Sequence, residues 1–289
     1  MEDKIRSFIK KVENLKIAVI GESIMDEFIH VSYEGQSMKS ICPVYKLSDQ
    51  SMMQEGGALA IANHLKDFVG QVDLFSNPPG EIIKTRYIDI HDRKKHVEIN
   101  KFNISNKKIS SIKTEDYDLV IVADFGHGYT DGLIIDDGFY LMCQTNSNNF
   151  GFNRISKWRS FRKRGVCIDL REASLQMNKK VDFNNDPEVL ELYNYEVNTD
   201  HLFITMGGKG SLFYDGANMF RRIAFESEIV DTIGAGDTFF AFSCLTNHVE
   251  SRENVLLIPS LAASLSTTWL CNERSVTKKS LLDYANKFI

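Results

Sequence analysis

The sequence predicts an α/β fold: a mostly parallel sheet covered on both faces by helices, with a smaller antiparallel sheet beside it. Three observations carry this. Short apolar runs recur at 16–20, 72–76, 119–123, 139–143, 166–170 and 202–206. Stretches of helical character lie between several of them, as at 58–68 and 153–164. Two segments, 28–47 and 85–102, break the alternation by interleaving β-branched and aromatic residues with polar ones.

The elements follow in order. Within 1–15, Ile5, Phe8, Ile9 and Val12 have helical spacing, and the apolar centre of a signal peptide is missing. The run 16–20 reads as a buried strand opening into a loop at Gly21. The 28–47 and 85–102 segments read as strands of a separate sheet, with an edge hairpin of the main sheet as the alternative. Gly56-Gly57 lead into an alanine-rich helix. The remaining apolar runs supply further buried strands, and ligands gather at the carboxyl ends of such strands.

A chain of 289 residues can bury a substantial core and form one large domain. Its 43% hydrophobic and 25% charged residues describe a soluble globular protein. A net charge of −5 argues against a nucleic-acid binder, which needs a basic face. No apolar stretch is long enough to cross a bilayer. The five cysteines are scattered, with no CxxC pair, and point to free thiols in a reducing cytoplasm.

The richest motif is Asp231-Thr232-Ile233-Gly234-Ala235-Gly236-Asp237, followed by an apolar stretch that can continue a helix. With so little side-chain bulk, its backbone N–H groups can close on an anion, and the helix N-terminus adds a positive end. A carboxylate in the same turn would stand beside whatever receives the anion. That is a layout for phosphoryl transfer, with Asp237 as base and Gly234, Ala235 and Gly236 as the anion hole. The plainer alternative is a glycine-rich loop capped by Asp at a helix start.

At these positions the chain resembles the ribokinase-like (PfkB) carbohydrate kinases, whose signature reads Asp-Thr-x-Gly-Ala-Gly-Asp-x-Phe. Within them it is most similar to the heptose-7-phosphate kinase branch. The resemblance implies a single kinase domain over 1–289, of three α/β/α layers, with 28–47 and 85–102 forming a β lid that also serves as the homodimer contact. It implies ATP and Mg²⁺, and at Asp231 a monovalent cation, as in some relatives.

The resemblance also distributes roles. Thr205-Met206-Gly207-Gly208-Lys209-Gly210 matches the nucleotide segment Thr-x-Gly-x-x-Gly, which assigns Thr205, Gly207 and Gly210 to ATP. Gly21-Glu22-Ser23-Ile24-Met25-Asp26 resembles Gly-Asp-x-x-x-Asp and makes Asp26 an acceptor for sugar hydroxyls. Gly56 and Gly57 match the lid hinge beside the sugar. Glu172, in Asp169-Leu170-Arg171-Glu172, stands where the family's Glu organises Mg²⁺, with Asp169 replacing an Asn. Asp124, ahead of Gly126-His127-Gly128, resembles a turn near the substrate. Lys84 and Arg86 lie on the lid where they could grip a sugar phosphate. Asn146 belongs to the carboxamide-rich run 144–149 at a strand end.

The implied activity is ATP-dependent phosphorylation of a hydroxyl on a sugar or sugar phosphate, heptose phosphate foremost. Glu22, Ala60, Asp169 and Phe242 depart from the family pattern. They keep two alternatives open: a nucleotide- or sugar-binding regulator that has lost catalysis, and a nucleoside or vitamin kinase on the same fold.

Overall fold

In the computed structural model, which describes residues 1–102, 108–144, 153–182 and 186–288, the chain begins with helix α1 (Glu2–Val12). Its apolar stripe buries Ile5, Phe8 and Val12, while Glu2 and Asp3 in the first turn and Lys10 and Lys11 in the last complement the helix dipole. Strand β1 (Lys16–Gly21) follows. Ile17 and Val19 enter one hydrophobic core, and Ala18 and Ile20 enter another. Burial on both faces is why this strand reads as a continuous apolar run.

The chain continues through β2 (Ser23–Gln36), β3 (Pro43–Gly57), α2 (Ala58–Leu65), β4 (Gln71–Ser76), β5 (Ile82–Asp89) and β6 (Lys95–Phe102). Next come β7 (Leu119–Asp124), β8 (Tyr140–Cys143), β9 (Gly165–Asp169), α3 (Leu170–Gln176) and α4 (Asp186–Leu192). The last part holds β10 (Leu202–Thr205), β11 (Ser211–Tyr214), β12 (Met219–Arg222), α5 (Ala235–Val249), α6 (Leu257–Ser266) and α7 (Lys278–Ala285). No helix among the described residues is long and apolar enough to cross a membrane.

Eight strands form the main sheet in the order β12-β11-β10-β9-β8-β7-β1-β4. The six from β4 to β10 pair in parallel, and β11 and β12 add an antiparallel edge. One face packs on α1, α2, α5, α6 and α7, the other on α3 and α4. A second sheet of four strands, β3-β2-β5-β6, stands apart from the first.

Two expectations need correction. The small sheet is not wholly antiparallel, because β2 pairs with β5 in parallel. The reason is chain direction. β1 and β4 are parallel neighbours, and β2 and β5 leave them from the same end, so both run the same way. The second correction concerns 153–164, which forms only a 3₁₀ turn at Ile155–Trp158 and no α-helix. The buried Lys163 ammonium donates to the Trp158 and Phe161 carbonyls, acceptors that a continuing helix would need.

The junction between the small sheet and α2 depends on glycine. Gly57 has φ 64°, and a Cβ there would stand 2.3 Å from the Glu22 carbonyl oxygen. Phe242 has a packing role. It is fully buried in α5 and meets the Phe68 ring edge-on at 4.8 Å, so this departure from the family pattern fills the core and leaves the cleft untouched.

Candidate active site

A cleft of about 1120 Å³ opens between the carboxyl ends of the parallel strands and the small sheet. Three parts of the main sheet shape it: the end of β9 with the start of α3, the turn after β10, and the start of α5. The small sheet covers it with one face. Partners across its strands fall into rows, Gln54–Asp26–Lys84–Asn100 and Met52–Phe28–Arg86–Glu98, and Asp26, Lys84 and Arg86 line the cleft. Alternate residues of a strand share a face, so both rows point the same way.

The start of α5 is built around Gly234, which caps the helix with φ 85°. Ala235 N–H leans on the Thr232 carbonyl at 3.3 Å, and Thr238 N–H bonds the Gly234 carbonyl at 2.9 Å. The N–H groups of Gly236 and Asp237 lie in the first turn, where no intrahelical acceptor exists, and both residues line the cleft. A neutral histidine braces this turn. Val276 N–H donates to His64 Nδ1 at 3.0 Å, so Nε2 carries the proton and faces Thr238 Oγ1 at 3.0 Å. Thr238 Oγ1 in turn donates to the Gly234 carbonyl at 3.0 Å. Burial holds His64 down at about 4, uncharged at neutral pH.

Asp237 projects from this turn into the cleft. Burial pushes its carboxyl up to about 7, the Asp26 charge adds to the rise, and Lys84 pulls it back. A carboxyl poised near neutrality is matched to taking a proton from a hydroxyl.

Of the sequence-predicted residues, Gly234, Ala235, Gly236 and Asp237 border this cleft together with Thr205, Gly207 and Gly210. Asp26, Gly57, Lys84, Arg86, Asp169 and Glu172 border it as well. Gly56 stands just behind, where a Cβ would meet Asp26 Oδ2 at 2.4 Å, so its bareness makes room for that carboxylate. Asn146 lies outside the described residues.

Asp124 and Asp231, expected at the site, do not line the cleft. Asp124 is fully buried and committed to the scaffold, accepting from Trp158 Nε1 at 2.7 Å, Lys157 Nζ at 2.7 Å and Gly126 N at 3.0 Å. Asp231 pairs with Lys95 at 2.8 Å and accepts from the N–H groups of Thr232 and Ile233. Both carboxylates are drawn away by partners remote in sequence. Glu22 is a brace too. Its two oxygens accept from Phe125 N and Tyr129 N at 2.8 and 3.0 Å. Burial, with Asp124 adding to it, raises this carboxyl to about 7.

Asp169 and Glu172 form a capping box at α3, each carboxylate accepting the other's backbone N–H, at 2.6 and 2.9 Å. Both face the cleft with hard oxygen atoms. Among the described residues no group of three or more ligating side chains could hold a metal ion. Two carboxylates are too few to cage a metal by themselves, and their hard oxygen atoms suit an Mg²⁺ that would keep most of its ligands as water and phosphate oxygens.

One wall went unread in the sequence: the 224–229 segment and α6. Ser260, Ala263, Ser264 and Thr267 line the cleft at the spacing of a single helix face. Small residues at i, i+3, i+4 and i+7 are the signal that could have found it.

The fold and the placement of this cleft define a ribokinase-like α/β protein. Residues 166–268 match the sequence model of the pfkB family carbohydrate kinase. A ribokinase from Lactococcus lactis is 33% identical over 99 residues, which make up 30% of this chain and 33% of that protein. The chain thus matches about a third of this curated relative's length. Among solved structures, the Arabidopsis thaliana ribokinase complexed with ribose and ATP superposes with a TM-score of 0.64 at 14% identity, covering 94% of this chain and 99% of that one. Phosphofructokinase-2 from Escherichia coli, in complex with substrates and products, gives a TM-score of 0.61 at 12% identity, with 94% and 99% covered. These likenesses lend no support to the heptose-phosphate branch in particular.

Proposed function

We propose that this protein is an ATP-dependent carbohydrate kinase that phosphorylates a hydroxyl of a sugar or sugar phosphate, with heptose phosphate among the candidate acceptors. The observation that carries this reading is Asp237, a carboxyl held near neutrality beside the exposed N–H groups of a helix N-terminus. Asp237 accepts the proton of the attacking hydroxyl while that oxygen bonds to the γ-phosphorus and ADP leaves with the electrons of the broken P–O bond. Backbone N–H groups of the 234–237 turn stabilise charge on the transferring group. Thr205, Gly207 and Gly210 hold the nucleotide, and Asp26, Gly56 and Gly57 shape the acceptor end. Mg²⁺, when bound beside Asp169 and Glu172, neutralises phosphate charge. The matched pfkB segment, 166–268, contains the 205–210 turn and the 231–237 motif, which supports the assignment.

A coupled assay of ADP release across neutral sugars, sugar phosphates and nucleosides tests the proposal. Turnover on a sugar or sugar phosphate is expected. Tight ligand binding with no turnover on any acceptor would return the reading to a regulator, and turnover confined to nucleosides would make it a nucleoside kinase.

The small sheet also suits a homodimer contact. Its outer row, Met53–Glu27–Thr85–Ile99, exposes Met53 and Ile99 by 53% and 54%, and Leu47 is 67% exposed on the same sheet. Sedimentation at micromolar concentration is expected to give a dimer that Ile99→Lys converts to monomer. A wild-type monomer would refute this contact. Five free cysteines agree with a reducing cytoplasm as the place of action.

A further inference from the structure

Asp231 stands just ahead of the glycine turn that opens α5. Its backbone is fixed from one side, because Val230 N–H and Asp231 N–H both donate to the Thr267 carbonyl at the end of α6, at 2.8 and 3.3 Å. Its carboxylate orders the turn from within. Oδ1 accepts Thr232 N–H at 2.8 Å and Ile233 N–H at 3.2 Å, and the Thr232 carbonyl accepts Ala235 N–H at 3.3 Å. Thr232 and Ile233 line the cleft. A bare carboxylate at this place would repel the phosphate oxygens that the turn is built to receive, so the turn needs a fixed positive charge beside it.

The small sheet supplies one. Lys95, the first residue of β6, reaches both carboxylate oxygens, with Nζ 3.1 Å from Oδ1 and 2.8 Å from Oδ2. The Asp231 side chain is only 9% exposed and that of Lys95 31%, so solvent screens the pair little. The ammonium also lies 5.9 Å from the centre of the Phe28 ring. Phe28 packs with Ile88, Cys271 and Ile233, which sets an apolar contact between the small sheet and the turn alongside the ion pair.

This arrangement does not fit the monovalent metal ion that the family resemblance implies at Asp231. Oδ1 already accepts from Thr232 N, Ile233 N and Lys95 Nζ, and the ammonium spans both oxygens. A second cation against the same carboxylate would meet a like charge at contact distance. We infer that Lys95 is the resident cation of this turn, a positioning residue that stands in for a monovalent metal ion. Its ammonium is a compact single charge, as such an ion is, but it is tethered to the chain. The turn thus takes its countercharge from the sheet that covers the cleft, and draws none from solution. The inference rests on the kinase reading only for its effect on turnover.

Melting temperature and ADP release, with ADP read directly by chromatography, test this on the full chain in choline, sodium, potassium and ammonium chlorides at one ionic strength. The wild type is expected to behave alike in all four salts. A saturable rise in its turnover or melting temperature with potassium over choline would overturn the inference, and this arm needs no variant to fold. Lys95→Ala removes the ammonium and opens the carboxylate. In choline its turnover should fall about 10-fold, the worth of one charge-assisted contact. Potassium or ammonium should restore most of that loss and raise the melting temperature, as a ligand of the folded state does. Adding Asp231→Asn should abolish the salt response.

Three results would overturn the inference. Lys95→Ala with wild-type turnover and no salt preference would reduce the pair to a surface bridge. A loss equal in every salt would make Lys95 a packing residue, and a salt response that survives Asp231→Asn would place the cation elsewhere. The two measurements also separate this inference from the kinase reading. Potassium-selective stabilisation of Lys95→Ala without ADP release from any acceptor would sink the kinase and leave the resident cation. ADP release with no salt preference in that variant would do the reverse.

Discussion

Asp237→Asn is expected to slow ADP release by about 10²- to 10⁴-fold, the usual worth of a positioned general base, with ATP affinity nearly unchanged. The amide has the same shape but cannot accept the hydroxyl proton. Only the ionised carboxylate works as a base, and burial, then Asp26, raises this group to about 7. The logarithm of the wild-type rate should therefore climb by about one per pH unit below that value and level off above it. The residual rate of the variant should lack this step.

The same ionisation bears on stability, with a definite sign. The folded-state value of about 7 lies above the ordinary 3.8, so the folded chain keeps a proton that the unfolded chain has shed. Below about pH 4 both states are protonated and the site costs nothing. Stability falls as pH rises between those values, and above pH 7 the loss is complete, on the order of 2 to 4 kcal/mol. Asp237→Asn escapes this loss, so it should be more stable than wild type above pH 7 and equal to it near pH 4, as read from urea midpoints. A variant with wild-type turnover, or with no gain in stability at high pH, would remove Asp237 from the role given it.

Gly234→Ala should cost about 10²- to 10³-fold in turnover, comparable to losing an anion-hole donor. Two independent effects act at this position. The backbone is left-handed at φ 85°, which costs a residue with a Cβ roughly 1–2 kcal/mol. The added Cβ would also fall 2.3 Å from Asn272 Oδ1, and the Asn272 backbone is held by a 2.8 Å bond from its N–H to Gln54 Oε1. The Asn272 carboxamide can relieve the contact by swinging aside, whereas the backbone strain is relieved only by rotating the turn, which re-aims the Gly236 and Asp237 N–H groups. Asn272→Ala in the Gly234→Ala background removes the clash and keeps the backbone strain. If the double variant regains full activity, the clash alone was responsible and the left-handed turn is dispensable for catalysis.

Much of this arrangement was legible from local pattern. The apolar runs at 16–20, 119–123 and 202–206 fall within or upon β1, β7 and β10, because burial on both faces of a parallel strand leaves no room for polar residues. The spacing of Ile5, Phe8 and Val12 marks the buried stripe of α1. The 231–237 motif does begin a helix at a glycine, because Gly234 can take the left-handed φ of 85° that this helix entry needs and the apolar stretch after it packs as α5. The 153–164 segment misled because its helical composition is overridden by Lys163, whose ammonium takes the carbonyls a helix would use.

The primary structure on its own thus determined the strand–helix alternation, the glycine-rich turn that opens α5 and the aspartate that follows it, all set by residues within a few positions of one another. Tertiary structure decided which charges remain available to a ligand. Asp26 and Arg86 are far apart in the chain, yet the β2–β5 register sets them diagonally on one face, where they ion-pair, and leaves Lys84, opposite Asp26, lining the cleft. Asp124 and Asp231, by the same logic, are claimed by Lys157 and Lys95. Each pairing depends on strand direction and on which loops meet, and Coulomb attraction acts only across the distances that the finished fold creates.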